Sequence, residues 1–363
     1  MNINVNKYDC TQEVYIPIPT KLGYAFIGWY DGKDTKKDYK IGKNTYGNIH
    51  LEAIFEYIYY VTYDLDGGEC SNLPTEFTES TKFNLPTPTK QGYTFIGWYD
   101  ENEELVSELN NKDYTLKAKY VPYIKENNYI YFGRYPQTEV TDSNIINTLK
   151  QVSTVNKYGY IEYDGNEYKE YDDNYYLVEP IKWKILETNN NSYKLVSDLI
   201  LDQQEFYLSS DDRTINGKTI YANNYEYSHI RAWLNNDFIN TAFNTEEQNI
   251  INESLVDNSA STTYSNTNMY ACNNTNDKVY LLSYKDVTEK YFTTGSERQA
   301  KVTDYAKNKV VHTRDDYGSF WLRSPNNSSS DYVNYVEYYG DMIIGYCYYS
   351  GNGVRPAIEI KIK

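Results

Sequence analysis

The chain has 363 residues, 24% of them charged and 40% hydrophobic, with a formal net charge of -16. That length holds two or three domains, each able to bury its own core, while the charge repels phosphate backbones and anionic lipid and so argues against nucleic acid and membrane surfaces as partners. No apolar run reaches the roughly eighteen residues of a spanning helix, so direct membrane insertion is not expected.

Aromatic residues make up much of the apolar share, with 44 Tyr against 11 Phe and 5 Trp, as in β-rich proteins with aromatic surfaces. Cys10, Cys70, Cys272 and Cys347 are scattered without CxxC spacing, which points to neither a zinc site nor a disulfide scaffold. The opening "MNINVNKYDCTQEVYIPIP" lacks the basic-then-apolar pattern of a secretory signal. The stretch "PIPTKLGYAFIGWYDGKD" from Pro17 recurs as "PTPTKQGYTFIGWYDENE" from Pro86. Pro17, Pro19, Gly23, Tyr24, Phe26, Gly28, Trp29 and Tyr30 fall on Pro86, Pro88, Gly92, Tyr93, Phe95, Gly97, Trp98 and Tyr99. Each unit closes on a strand-like segment, "IHLEAIFEY" or "YTLKAKYV". The second opens with the alternating "YYVTYDLDGGECS", which the first lacks, so the chain is expected to begin inside a repeat, leaving room for a signal upstream.

These units resemble the internalin B-type, or Listeria-Bacteroides, repeat, marked by Pro-x-Pro, then Gly-Tyr-x-Phe-x-Gly-Trp-Tyr, then a closing Leu-x-Ala strand. The resemblance implies small β-grasp-like modules, a partial one over 1–56 and a complete one over 57–122, serving as stalk or weak adhesive units. It also implies an extracellular or cell-surface location. Trp29 and Trp98 are expected to centre the two small cores, with Gly28 and Gly97 leaving the backbone beside them uncrowded.

From Tyr123 the texture changes. "NYIYFGRYPQTEV" reads as strand then turn. In "EPIKWKILETNNNSYKLVSDLILD" the alternation of Ile181, Trp183 and Ile185, an Asn189–Asn191 turn and the return through Tyr193–Val196 predict a hairpin. Ser228 is placed to cap a helix carrying Ile230, Trp233 and Leu234. Asn244 with Glu247 forms a capping-box signature, which Ser283 with Asp286 repeats. Ser296 opens the helix-patterned "ERQAKVTDYAKNK". Val354, Pro356, Ile358, Ile360 and Ile362 alternate as a terminal strand, whose proline predicts an edge or a bulge.

Catalytic chemistry is thinly supplied. His50, His229 and His312 lie near no Cys or Ser in a nucleophile-base arrangement; His229 reads as solvated or core-edge and His312 as structural. The carboxylates read as a solvated surface, and Asp172 with Asp173 lacks the alternate ligand spacing of a calcium loop. Arg323 in "FWLRSP" and Arg355 in "GVRPAI" sit in apolar frames, and a buried arginine needs a partner, so each is expected to hold an ion pair or carbonyl clamp.

The C-terminal segment is the most unusual. From Asn326 to Asn352 the residues are mostly Asn, Ser, Asp, Tyr, Gly, Ile, Val and Cys, and no lysine occurs between Lys309 and Lys361. All those types have codons ending in a pyrimidine; Glu337 and Met342 do not. Codons that began as AAC or AAT and had their adenines randomised would produce this spectrum. A genome rich in A and T inflates Asn, Tyr and Ile, but it inflates Lys too. Tyrosine buries roughly 150–250 Å² at low entropic cost, and Ser, Gly and Asn add adaptable hydrogen bonds. Four or five rings would therefore cover most of the ~800 Å² per partner of a standard interface.

"YFGRYPQTEV", "EPIKWKIL", "IRAWLNNDFINTAF", "DKVYLLSYKDV", "FWLRSP" and "GVRPAI" resemble an uncharacterised bacterial and phage domain. Its C-terminal end is similar to the variable proteins of diversity-generating retroelements, in which adenine-specific copying errors are displayed on a C-type lectin-like fold. The resemblance implies an α+β chain: two small β-grasp-like repeats followed by a C-type lectin-like domain over 123–363, with a variable segment at 326–352. It implies a ligand-binding set of Asn326, Asn327, Ser328, Ser329, Ser330, Tyr332, Asn334, Tyr335, Tyr338, Tyr339, Asp341, Tyr346, Cys347, Tyr348, Tyr349, Ser350 and Asn352. Val333, Val336, Ile343 and Ile344 are expected to point inward, with Glu337 and Met342 fixed. The expected function is a surface adhesin that binds a protein or cell-surface ligand, with no catalytic residue, no metal and no cofactor. Formylglycine-generating oxidases share that fold and a terminal Gly-x-Arg but need a reactive cysteine pair, which Cys272 and Cys347 supply poorly. An oxidase-like enzyme and a purely structural surface protein are the alternatives.

Overall fold

The computed structural model describes residues 7–362, so the reading of what precedes the first repeat lies largely outside the described residues. The protein is mostly β-sheet, 38% strand against 13% helix. This corrects the α+β expectation and removes the ground for a C-type lectin-like arrangement. The helix caps are real, but most of the helices they open are short, four to seven residues each. The chain divides into two compact units, Met1–Val121 and Pro122–Lys363.

In the N-terminal unit neither repeat contains a helix among the described residues, so the β-grasp-like expectation keeps its strands and loses its helix. The second repeat is a five-stranded sheet in the order Glu76–Phe77, Tyr59–Asp64, Tyr114–Val121, Thr94–Tyr99, Leu105–Val106. Trp98 is buried at its centre, 5.1 Å from the Tyr63 ring and 5.6 Å from Phe95, and its indole N–H donates to the Pro86 carbonyl at 2.7 Å. The Pro-x-Pro that opens each repeat thus has a physical task in this one: it presents an acceptor to the core tryptophan. Trp29 is equally buried, but its indole nitrogen has no hydrogen-bond partner. Gly97 has φ +147, and a Cβ there would lie 2.5 Å from Leu105 Cδ1. At Gly28 a Cβ would lie 2.7 Å from Thr35 Cγ2. Both glycines are needed for close approach of the neighbouring strand.

The C-terminal unit is built on two sheets. The larger has eight strands, with Tyr129–Glu139, Asn174–Thr188, Ser192–Ser197, Ala357–Lys361 and Val279–Tyr280 adjacent in that order. The expected hairpin pairs Trp183 with Ser197 and Thr188 with Tyr193. No turn interrupts Tyr129–Glu139; instead the register shifts between Tyr131 and Arg134, where Gly133 has φ +65 and a Cβ would meet Phe243 at 2.4 Å. The chain bulges at this point and stays in the sheet. Asp172 and Asp173 form a tight turn, with φ 50 and 61. The smaller sheet runs Asp202–Gln203, Gly353–Val354, Phe320–Pro325, Tyr332–Val336, Met342–Tyr346. Pro356 lies neither on an edge nor in a bulge: it falls between Gly353–Val354 and Ala357–Lys361, where the chain leaves one sheet for the other. Between the sheets lies a core that includes Val196, Ile200, Leu282, Val287, Phe292, Phe320, Leu322 and Val336.

Helices are short. Ser228 caps His229–Trp233 by accepting from the Arg231 N–H, and the helix continues through a π turn at Leu234–Phe238. There Asn235 receives the N–H groups of Lys278 and Val279 at 3.0 and 3.2 Å, tying the helix to a strand. The capping box at Asn244 and Glu247 is present, and Ser283 and Asp286 exchange the same pair of bonds. The single helix expected from Ser296 is two short ones. Gly295–Arg298 is capped by Thr294 and Asp304–Asn308 by Thr303, because between them Lys301 bridges to Tyr317 and Val302 to Ile200.

Replacing Trp98 with Ala removes the centre of the second repeat. By the cost of large-to-small core changes, the N-terminal unit should lose about 3–5 kcal/mol. Chemical denaturation followed by circular dichroism would show this as an earlier transition for that unit, with the C-terminal unit's transition unmoved.

Candidate binding face

Tyr332–Val336 and Met342–Tyr346 form an antiparallel hairpin at the edge of the smaller sheet. Its turn is closed by one internal bond and fastened from outside by two. Glu337 N–H donates to Asp341 O at 2.9 Å, Arg298 Nε to Gly340 O at 2.8 Å and Gln299 Nε2 to Tyr338 O at 2.9 Å. Gly340 has φ +85, and a Cβ would sit 1.9 Å from Gly295 O, so only glycine fits. The preceding loop is held by Asn223, whose Nδ2 donates to Ser329 O at 2.9 Å and Tyr332 O at 3.0 Å. Within the loop, Ser328 bonds Asn326, and Ser329 Oγ donates to Asp331 at 2.5 Å.

On this frame the tyrosines form two groups, one at the open end of the hairpin and one at its turn. Tyr332 meets Tyr346 edge-on at 4.9 Å, with the hydroxyls 3.3 Å apart, and Tyr346 stacks on Tyr348 at 5.2 Å. Tyr338 and Tyr339 pack together at 4.7 Å, with the Arg314 guanidinium 5.0 Å from the Tyr339 ring. Tyr339, Tyr346 and Tyr348 are 45%, 45% and 43% exposed. Asn327, Ser328, Asp341 and Ser350 are also exposed, while Asn326, Ser329, Ser330, Tyr332, Tyr335, Tyr338 and Tyr349 are half-buried. Tyr335 wedges between Trp321, at 6.0 Å, and Gly345, whose missing Cβ makes room for its ring. Burial raises its phenol above the usual tyrosine range, as does the charge of Glu337. Tyr349 places its hydroxyl 2.8 Å from a ring nitrogen of His312, itself exposed.

Three expected contact residues lie inside. Asn334 is buried and donates to Ser324 O at 3.1 Å. Cys347 is buried with its sulfur 3.2 Å from Ser209 O, and burial pushes its thiol up to about 12. Asn352 is fully buried, with neither amide atom hydrogen-bonded. Ile343 and Ile344 correct the expectation in the other direction: they are 37% and 42% exposed, while Val333 and Val336 are inward and fully buried. Consecutive strand residues point to opposite faces, so Ile343 and Ile344 were never able to serve as two anchors on one side.

Both arginines singled out from the sequence are internal. Arg323 pairs with Asp286 at 2.8 Å and donates to Leu281 O at 2.8 Å. Arg355 donates to Ser197 O at 3.0 Å and to Arg298 O at 3.4 Å. His229 lies 3.4 Å from Gln204 Oε1. Cys272 is free, and burial pushes its thiol up to about 11. Among the described residues no group of three or more His, Cys, Asp and Glu side chains could hold a metal ion, and no helix is long and apolar enough to cross a membrane.

Residues 2–54 and 59–121 match the Listeria-Bacteroides repeat domain, and residues 190–362 match a domain of unknown function, DUF6273. Internalin H of Listeria monocytogenes is 45% identical over 87 residues, covering 23% of this chain and 15% of that protein. A protein of Evansella cellulosilytica provisionally named a Gly-rich membrane protein is 32% identical over 110 residues, or 28% of this chain and 13% of its own length. The similarity therefore spans about a seventh of these relatives. No solved structure matches the chain. The repeats point to a surface or adhesin-like protein.

The Arg323–Asp286 pair yields a pH prediction. Burial raises the Asp286 carboxyl, but the Arg323 guanidinium and the Ser283 N–H outweigh it and hold the group below the usual carboxylate range. A depressed carboxyl contributes stability that is present above the unfolded value, near pH ~4, and lost as pH falls through the folded value. Asp286→Asn leaves Arg323 buried without its counter-ion, at a cost of about 3–5 kcal/mol at neutral pH. Urea titrations at pH 7 and pH 3 should show the gap between variant and wild type narrowing in acid.

Proposed function

We propose that the chain is a surface adhesin whose C-terminal unit binds a protein or other cell-surface ligand through the tyrosine hairpin, and whose 326–352 segment is diversified by a retroelement of the adenine-mutating kind. The observation that carries this reading is the set of rings on a fastened edge hairpin, Tyr332, Tyr346 and Tyr348 packed together at its open end and Tyr338 with Tyr339 at its turn, with Ile343 and Ile344 exposed on opposite faces of the same strand. Large rings on a fixed frame contribute contact area at little entropic cost. The exposed polar residues around them are the types that adenine randomisation supplies. In this reading buried Asn334, Cys347 and Asn352 stay constant and diversification is confined to the surface. The protein acts by binding, without a cofactor. The high thiol values of Cys272 and Cys347 support this, since a nucleophilic cysteine acts as its thiolate.

Two measurements test the reading. Substituting Ala at Tyr338, Tyr339, Tyr346 and Tyr348 should abolish adhesion of the purified chain to a panel of cell surfaces while the melting temperature stays close to wild type. Unfolding of the variant would make those rings core instead. Sequencing the gene across related isolates should place substitutions at the exposed positions of 326–352 and at adenine-rich codons. Differences spread evenly along the chain would remove the retroelement from the proposal.

A further inference from the structure

The C-terminal unit holds a cavity of about 460 Å³, and none of its lining residues belongs to the 326–352 segment. Its charges are unevenly committed. Arg323 is spent on Asp286 and on backbone carbonyls, and Lys290 is paired with Glu187 at 2.6 Å. Lys194 stands between two carboxylates, across the ladder from Glu187 on one side and Glu359 on the other.

Glu359, in contrast, receives hydrogen bonds only from neutral groups: Ser192 Oγ at 2.5 Å, Asn252 Nδ2 at 3.4 Å and Ser254 Oγ at 3.4 Å. Those donors fix the carboxylate in place without neutralising it. Glu253 and Asp257 add further carboxylates to the wall. Tyr280 also lines the cavity; it is 5% exposed, and its hydroxyl makes no hydrogen bond among the described residues. That oxygen is not one of the fully buried polar atoms without a partner, so it is open to the cavity, within reach of a ligand.

We propose that this cavity binds the primary ammonium group of a polar organic molecule, with Glu359 as its counter-ion and Tyr280 and Ser254 as neutral acceptors. An ammonium carries three donors and no acceptor, which suits one carboxylate oxygen, one phenol and one hydroxyl. The volume decides against a bare metal ion. It lies in the range of small-molecule pockets, and the described residues hold no cluster of metal-ligating side chains. The site is separate from the tyrosine face and does not depend on it.

Isothermal titration of the full chain would use two amines, cadaverine and glucosamine, beside their neutral counterparts 1,5-pentanediol and glucose. At least one amine should bind saturably, and neither neutral molecule should. Whether the diamine or the amino sugar binds tells which body carries the ammonium. Glu359→Gln should weaken the binding roughly ten- to hundredfold, the range of a charge-assisted hydrogen bond, and Tyr280→Phe should weaken it several-fold. Thermal melts establish that each variant is folded; if Glu359→Gln is not, Tyr280→Phe decides. The proposal is overturned if neither amine binds, if a neutral counterpart binds as well as its amine, or if the folded variants bind like wild type. Displacement of the amine by millimolar calcium would assign the site to an inorganic cation and overturn it equally.

Discussion

The architecture of the C-terminal unit depends on a buried positive charge at the point where the chain changes sheets. Arg355 is 4% exposed, and burial pushes its guanidinium down to about 10, still charged at neutral pH. It binds backbone carbonyls, Ser197 O from the larger sheet and Arg298 O from the short helix beside the smaller one. Phe292 and Phe320 place their rings 5.5 and 5.2 Å from it. A guanidinium suits this task because its planar fork reaches several acceptors at once and stacks on aromatic faces. Arg298 in turn donates to Gly340 O in the hairpin turn. The route from the sheet crossing to the outermost tyrosines therefore runs through a few backbone carbonyls.

That economy explains how an exposed aromatic surface stays ordered. The hairpin lies at the edge of its sheet, and Val333, Asn334 and Val336 are all buried, so its first strand is covered on both faces. Fixed bonds to the turn and the preceding loop do the rest, and they come from residues outside the hairpin: Asn223, Arg298 and Gln299. The exposed side chains carry little of the fold's stability, so they are free to change. The polar cavity around Glu359 is organised oppositely: its side chains are shared with the sheet ladder and a buried ion pair, so its chemistry is tied to the fold.

Much of the N-terminal unit was legible in the sequence, because duplication marks its boundaries and a lone tryptophan beside a glycine marks each small core. The capping signatures at Ser228, Asn244 and Ser283 were equally legible, since a cap is a local event among four residues. Helix length was not. The segment after Ser296 has helical patterning, but Val302 belongs to the core and its backbone bridges to Ile200, so tertiary pairing cuts it in two. The last strand alternates as its residues predict, but it lies inside the sheet and not at an edge. A strand hydrogen-bonded on both sides to Ser192–Ser197 and Val279–Tyr280 looks, in one dimension, like an edge strand with a proline before it.

The tyrosine segment divides the same way. Its composition alone sets it apart, and its lysine gap and narrow choice of residue types are properties that no fold could add. Which of its residues reach solvent was decided only in three dimensions. Asn334 and Asn352 are the same residue type as exposed Asn327, and they are inside, with Cys347, because other parts of the chain cover them. Local spacing determines caps, turns and strand alternation; burial depends on what packs over a strand from far along the chain, and that information is not local to the segment it governs.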